Sequence, residues 1–165
     1  MMKEMTTNDV IIRHNFISKV VFKDGDLTLS KDLKIKIMSM RIEYGKVHKI
    51  FDDDVQEFTK GIIEDRFNEL QGKTEKTEAE EKEYNELINK YNQETNEYVA
   101  KRAMDTINVK DYTLNMDEYS EIMETNASND VEINGTKISA PDFLEVLYEL
   151  FVTEDSIEDK KTKKD

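Results

Sequence analysis

A periodic pattern of apolar residues runs through the middle of the chain. From residue 33 the apolar side chains recur at steps of three or four, which places them on one face of an α-helix. The positions are Leu33, Ile37, Met40, Tyr44, Val47, Phe51, Val55, Phe58 and Ile62. The pattern predicts one helix over about residues 31–70, roughly 57 Å long at about 1.5 Å per residue.

A second stripe follows after a break at residues 71–76. Thr77 with Glu80 fits a capping box, and the chain then repeats the same spacing over about residues 78–104. The stripe consists of Tyr84, Leu87, Ile88, Tyr91, Thr95, Tyr98 and Val99. Two matched stripes with a short connection predict a long antiparallel helical hairpin over residues 31–104.

The segment before the hairpin favours β-structure. Residues 1–9 are polar, which predicts a flexible N-terminus. Residues 10–30 contain two β-favouring runs on either side of Asp24-Gly25, which predicts a β segment or hairpin. Ser30 is then placed to cap the first long helix.

The segment after the hairpin, residues 105–152, is predicted to pack with the N-terminal β segment and form a small base for the hairpin. Loose alternation over 107–114 indicates a strand, and Asn115 with Glu118 can cap a short helix over 116–124. Residues 131–138 read as a β-hairpin with an Asn-Gly turn. Ser139 and Pro141 begin a last helix, and residues 153–165 predict a flexible charged tail. The predicted fold is therefore α+β: a helical hairpin on a base that contains a β-hairpin and a C-terminal helix.

Composition narrows the possible partners. Of 165 residues, 37% are charged and the net charge is −13, a field that repels nucleic acid. No apolar run approaches the roughly 20 residues that span a bilayer, cysteine is absent, and residues 1–9 lack the order of a secretory signal. We expect a protein that is not secreted and that binds neither nucleic acid, membrane nor a small-molecule substrate.

Candidate chemistry is sparse. His14 and His48 are the only histidines and lie far apart, and neither has a second ligand at a recognised spacing. His48, beside the stripe of the first helix, is interpreted as an ordinary helix-surface histidine. The stretch from Asp24 to Asp32 resembles the middle of a calcium loop but places Val20, Phe22 and Lys31 at ligand positions. No nucleophile or phosphate-loop motif is present, so we predict no catalytic, cofactor or metal site and no enzyme.

Apolar residues outside the main stripe are the candidate partner-binding residues. Ile35, Met38 and Ile42 point away from it, and contact with the β base competes with a partner site as their role. Ile63, Phe67 and Leu70 lie at the far tip, where core packing and a partner site are equally open interpretations. Such apolar surface is typical of protein–protein contacts.

The order of elements resembles a class of known proteins. A β start at Leu27-Thr-Leu29, a charged helical hairpin, the hairpin at residues 131–138 and a closing helix look like small proteins encoded among tailed-bacteriophage structural genes. The resemblance covers about residues 27–152 and implies a virion or assembly component. We therefore predict a structural protein that binds other protein subunits in a large assembly or homo-oligomer, in a virion or the cytoplasm of a bacterial host. The alternative is a soluble regulator or chaperone that binds a client transiently.

Overall fold

The long helical hairpin predicted from the two apolar stripes is present, and the fold class is α+β. The computed structural model describes residues 2–18, 29–126, 131–133 and 136–152. Its elements, in chain order, are β1 (Met2–Thr6), α1 (Thr7–Phe16), α2 (Lys31–Ile62), α3 (Asp65–Gln71), α4 (Glu78–Ala103), β2 (Thr106–Lys110), α5 (Met116–Asn126), β3 (Val131–Ile133), β4 (Thr136–Ile138) and α6 (Ala140–Phe151).

The first arm of the hairpin is shorter than the stripe predicts. Helix α2 has 32 residues, about 48 Å at about 1.5 Å per residue, and ends where Ile63 (ψ 122°) and Glu64 (ψ 153°) become extended. The Glu64 amide donates to the Tyr91 hydroxyl at 3.1 Å instead of continuing the helix. The prediction of one continuous helix to residue 70 is therefore wrong, because a tertiary hydrogen bond outweighs the local pattern.

Of the N-terminal caps predicted for the two long helices, that of α4 is present and that of α2 is not. Thr77 and Glu80 form the predicted capping box, and hydrogen bonds from Lys73 and from the Thr77 backbone lower the pKa of Glu80 to about 2. Ser30 stands at the start of α2 but makes no side-chain cap. Its hydroxyl instead bonds to the Glu121 carboxylate at 3.1 Å, which ties α2 to α5.

The N-terminal predictions are wrong for residues 2–16. Strand β1 lies where a flexible terminus was expected, paired antiparallel with β2 from Met2 opposite Lys110 to Thr6 opposite Thr106. Helix α1 lies where a β segment was expected. Thr6 caps it by accepting from the Asp9 amide at 3.1 Å, and Val10 and Ile17 are buried. Their seven-residue separation is helical, and the local apolar run from Val10 concealed it.

The C-terminal predictions agree with the structure where it describes them. β3 and β4 pair with Ile133 opposite Thr136, and α5 carries its Asn115–Glu118 capping box. In α6 the Ser139 hydroxyl accepts from the Asp142 amide. The Asn-Gly turn at 134–135, the Asp24-Gly25 turn and the tail at 153–165 lie outside the described residues.

The main core lies in the base. It joins β1, α1, the first half of α2, β2, α5 and α6. Its members are Met5, Val10, Ile17, Leu29, Leu33, Ile37, Met40, Tyr44, Val109, Leu114, Ile122, Phe143, Leu144, Leu147, Phe151 and Val152. Beyond Val47 the hairpin projects as two helices, so a surface on α2 can belong either to the base or to this projecting arm.

Two glycines in α2 are expected to respond differently to alanine. A Cβ at Gly61 would meet nothing within 4 Å, whereas at Gly45 it would lie 3.0 Å from His14 Nε2. Gly61→Ala should raise the free energy of unfolding by about 0.4–1 kcal/mol, and Gly45→Ala should lose that gain to the histidine contact. Urea denaturation measures both, and equal gains would show that α1 does not approach Gly45 as closely as described.

Candidate partner-binding surface

The apolar residues at the tip of the hairpin pack inside it. Phe67 stacks on Tyr84 with ring centroids 5.2 Å apart and meets Tyr91 edge-on, also at 5.2 Å. Leu70 is 0% exposed and Ile63 is half-buried. The extended residues at 63–64 separate α3 from α2, so the direction of these side chains no longer follows from a continuous helix. The expected apolar surface at the tip is therefore absent, and these residues stabilise the hairpin.

The apolar residues at the base end of α2 face outward. Ile35, Met38 and Ile42 are 55%, 39% and 53% exposed. The expectation that the β base would cover them is wrong, because β1 and β2 pair with each other beside α1 and the opposite face of α2 enters the core. We call these three residues the outward strip.

Helical geometry accounts for the outward strip. Its steps of three and four place the three side chains within about 60° of one another, at about 100° per residue. The buried residues Leu33, Ile37, Met40 and Tyr44 occupy the opposite face. The strip is about 10 Å long and lies on a long, regular helix, so its residues are held in fixed relative positions.

Lysines surround the outward strip. Lys31, Lys34, Lys46 and Lys49 lie within about 75° of its centre on the helix. Residues 31–49 contain six Lys or Arg against two Asp or Glu, a net charge of +4, which leaves −17 for the rest of the chain. The net charge of the whole chain conceals this positive segment. Net charge counted in short windows along the sequence would have revealed it.

His14 and His48 are brought together between α1 and α2. Their Nδ1 atoms lie 2.7 Å apart, and the rings stand at 83° with centroids 5.0 Å apart. His48 Nε2 also lies 3.5 Å from Asp52 Oδ2. The interpretation of His48 as an ordinary helix-surface histidine is wrong, because the packing of α1 on α2 joins it to His14, 34 residues away.

The three aspartates at 52–54 point to different partners, as expected for consecutive helical residues. Asp52 faces His48, Asp53 pairs with Lys49 at 3.4 Å, and Asp54 accepts from both Tyr98 and Arg102 at 2.8 Å. The hydrogen bond from Tyr98, followed by that from Arg102, lowers the pKa of Asp54. This cluster joins α2 to α4 and leaves no convergent carboxylate pair.

A shallow pocket lies where α2, α4 and β2 meet. Its volume is about 170 Å³, and its lining includes Ile50, Phe51, Arg102 and Ile107. Ligand pockets usually measure about 300–1,000 Å³, and Arg102 is already engaged by Asp54 and Asp105. The pocket therefore offers little to a small-molecule substrate.

Among the residues that the structure describes, no three His, Asp or Glu side chains are arranged to hold a metal ion. Within the same residues no helix is both long enough and apolar enough to cross a bilayer. Comparison with known proteins adds no relative: no protein family, curated protein or solved structure matches this chain.

Proposed function

We propose that this chain is a non-enzymatic structural or assembly protein that binds another protein subunit through the outward strip of α2. The observation that carries the proposal is the exposure of Ile35, Met38 and Ile42 on one helix face, inside a ring of lysines. Grouped apolar side chains with a polar rim are typical of protein–protein contacts.

The charge around the strip favours an acidic protein partner. The lysine ring would orient such a partner and speed its association. Nucleic acid and anionic membranes present extended negative surfaces, which the remaining −17 of the chain would repel. A compact acidic helix with its own apolar ridge would meet only the local positive field.

The same charge disfavours self-association through this face. An antiparallel two-fold contact centred between Met38 and Ser39 would set Lys31 of one copy opposite Lys46 of the other. Two faces of net +4 each would then meet, and like charges across an interface are destabilising. Any homo-oligomer of the chain is therefore proposed to form through another surface.

The hairpin supports a role in a larger assembly. Helix α2 is about 48 Å long, whereas a compact chain of this size has a radius of gyration of about 15 Å. The base would dock on one subunit through the outward strip while the arm reaches another. A tailed-phage virion, or an assembly intermediate in the cytoplasm of the bacterial host, is the proposed setting.

A double substitution tests the proposed surface. Ile35→Asp with Ile42→Asp should leave the melting temperature nearly unchanged, because both side chains are already exposed. It should weaken incorporation into large particles at least tenfold, on the order of 1.4 kcal/mol. Sedimentation of the tagged chain from its native cells, with quantification in the particle fraction, measures this effect.

The matched control introduces the same charges elsewhere. Ile12→Asp with Met123→Asp alters side chains that are 44% and 38% exposed and lie outside the strip. This variant should enter particles normally, and equal loss in both variants would contradict a specific surface. A wild-type chain that stays monomeric and absent from particles would contradict the structural role and fit the alternative, a regulator or chaperone.

A further inference from the structure

His14 and His48, which lie between α1 and α2, have the geometry of a hydrogen bond between their two Nδ1 atoms. The 5.0 Å between ring centroids is little more than the 2.7 Å between the two Nδ1 atoms plus the two ring radii. The two nitrogens therefore point at each other along the line of the centroids. One must carry a hydrogen and donate it, and the other must accept with its lone pair.

This alignment is not that of a metal site. Two metal ligands direct their lone pairs at a third point, whereas these two nitrogens are directed at each other. Asp52 lies beside Nε2 of His48, on the far side of the ring from His14, and so cannot complete a shared coordination sphere in this arrangement. The pair is a hydrogen bond that joins two helices.

The surroundings assign the two roles. His48 is assigned as the donor from Nδ1, with Asp52 Oδ2 3.5 Å from its Nε2 on the other side of the ring. His14 is the acceptor, and its pKa is lowered by burial, by His48 and by Arg41, against the opposing effect of Asp52. These charged groups are all on α2. The other elements against α1 are β1, with Lys3 and Glu4, α4, with Lys101 and Arg102 in its last turn, and α6, with Asp142, Glu145 and Glu149.

We propose that His14 and His48 form a proton-sensitive latch between α1 and α2, which is closed while His14 is neutral and is released when both rings carry two protons. A second proton on His14 puts two N–H groups face to face at the position of the hydrogen bond and opposes two positive charges. The His14 ring lies close against the backbone of α2 at Gly45, where an added Cβ would be 3.0 Å from Nε2.

The direction of the pH effect follows from linkage. The pKa of His14 lies below its ordinary 6.5 in the folded chain. Between the two values the unfolded chain binds more protons, so stability falls as the pH drops through that window. The latch is therefore expected to be fully closed above about pH 6.5 and to weaken as the medium becomes more acidic.

The test uses the fact that the chain has two histidines, so that imidazole NMR signals report this pair alone. We expect a His14 midpoint below 6.5 and an Nε2–H tautomer for His14 at neutral pH. In the His48→Gln variant the His14 midpoint should move up toward 6.5, because the interaction with His48 that lowers the pKa of His14 is removed. A His14 midpoint that is not below 6.5, or one that does not respond to His48→Gln, would overturn the latch.

Unfolding provides the second readout. Between about pH 7.5 and about pH 5.5 the wild-type urea midpoint should fall further than that of a His14→Gln, His48→Gln variant, which keeps the background of carboxylate titration. Identical pH dependence in the two proteins would overturn the proposal. So would a rise in the wild-type melting temperature on addition of Zn²⁺ that the double variant does not share, which would identify the pair as a metal site.

Discussion

Replacing Leu70 with alanine is expected to lower the free energy of unfolding by about 2–5 kcal/mol. Leu70 is 0% exposed at the end of α3, and the truncation would leave a cavity at the tip, where two helical segments supply few side chains to fill it. Urea denaturation followed by circular dichroism measures the loss. The result would establish the tip as part of the folded core of the arm.

The matched comparison is Ile42→Ala on α2. This change should shift the free energy of unfolding by no more than about 0.5 kcal/mol, because Ile42 is 53% exposed. A loss similar to that of Leu70→Ala would mean that the outward strip is covered within the chain. The proposed partner surface would then have to be abandoned.

Phe151→Ala is expected to have the largest effect in the base, a loss of about 3–5 kcal/mol. The side chain is 1% exposed, and its ring centroid lies 6.3 Å from that of Phe16. The Phe151 carbonyl also accepts from the Leu114 amide at 2.8 Å, so the residue joins α6 to α1 and to the segment before α5. Thermal and urea unfolding should both detect the change.

Val146→Ala supplies the control on the same helix. Val146 is 39% exposed, so its truncation removes little buried surface and should cost less than about 1 kcal/mol. Comparable losses at both positions would contradict the described orientation of α6. That orientation also places Phe143, Leu144 and Leu147 in the core.

Local patterns predicted the elements whose determinants are local. The stripes of α2 and α4, the Thr77–Glu80 box and the Ser139 cap each depend on residues within a turn or two, and all could be read from the sequence. Strand β1 depends on pairing with β2, about a hundred residues away. The residues Met2–Thr6 contain no local signal that predicts pairing with β2.

The sequence identified the residues of the outward strip, but it did not predict that they would be exposed while those at the tip would be buried. Sequence periodicity identified Ile35, Met38 and Ile42 as lying off the main stripe, which the structure bears out. It could not predict whether the rest of the chain would cover the outward strip or the apolar residues at the tip. That outcome depended on the break at Ile63–Glu64 and on the Tyr91 hydroxyl that receives the Glu64 amide, both of which are tertiary effects.

The thinness of the arm is expected to make it open more readily than the base. Outside the base core, α4 is held to α2 by a few contacts along two helices, such as the Phe58–Tyr98 stack at 3.9 Å and the partly exposed Arg102–Asp54 pair at 2.8 Å. Added salt screens such pairs, so amide hydrogens of α4 should exchange by local opening well before those of α6. We therefore expect that a partner bound to the arm would change the local opening of α4 and leave the exchange of α6 unaltered.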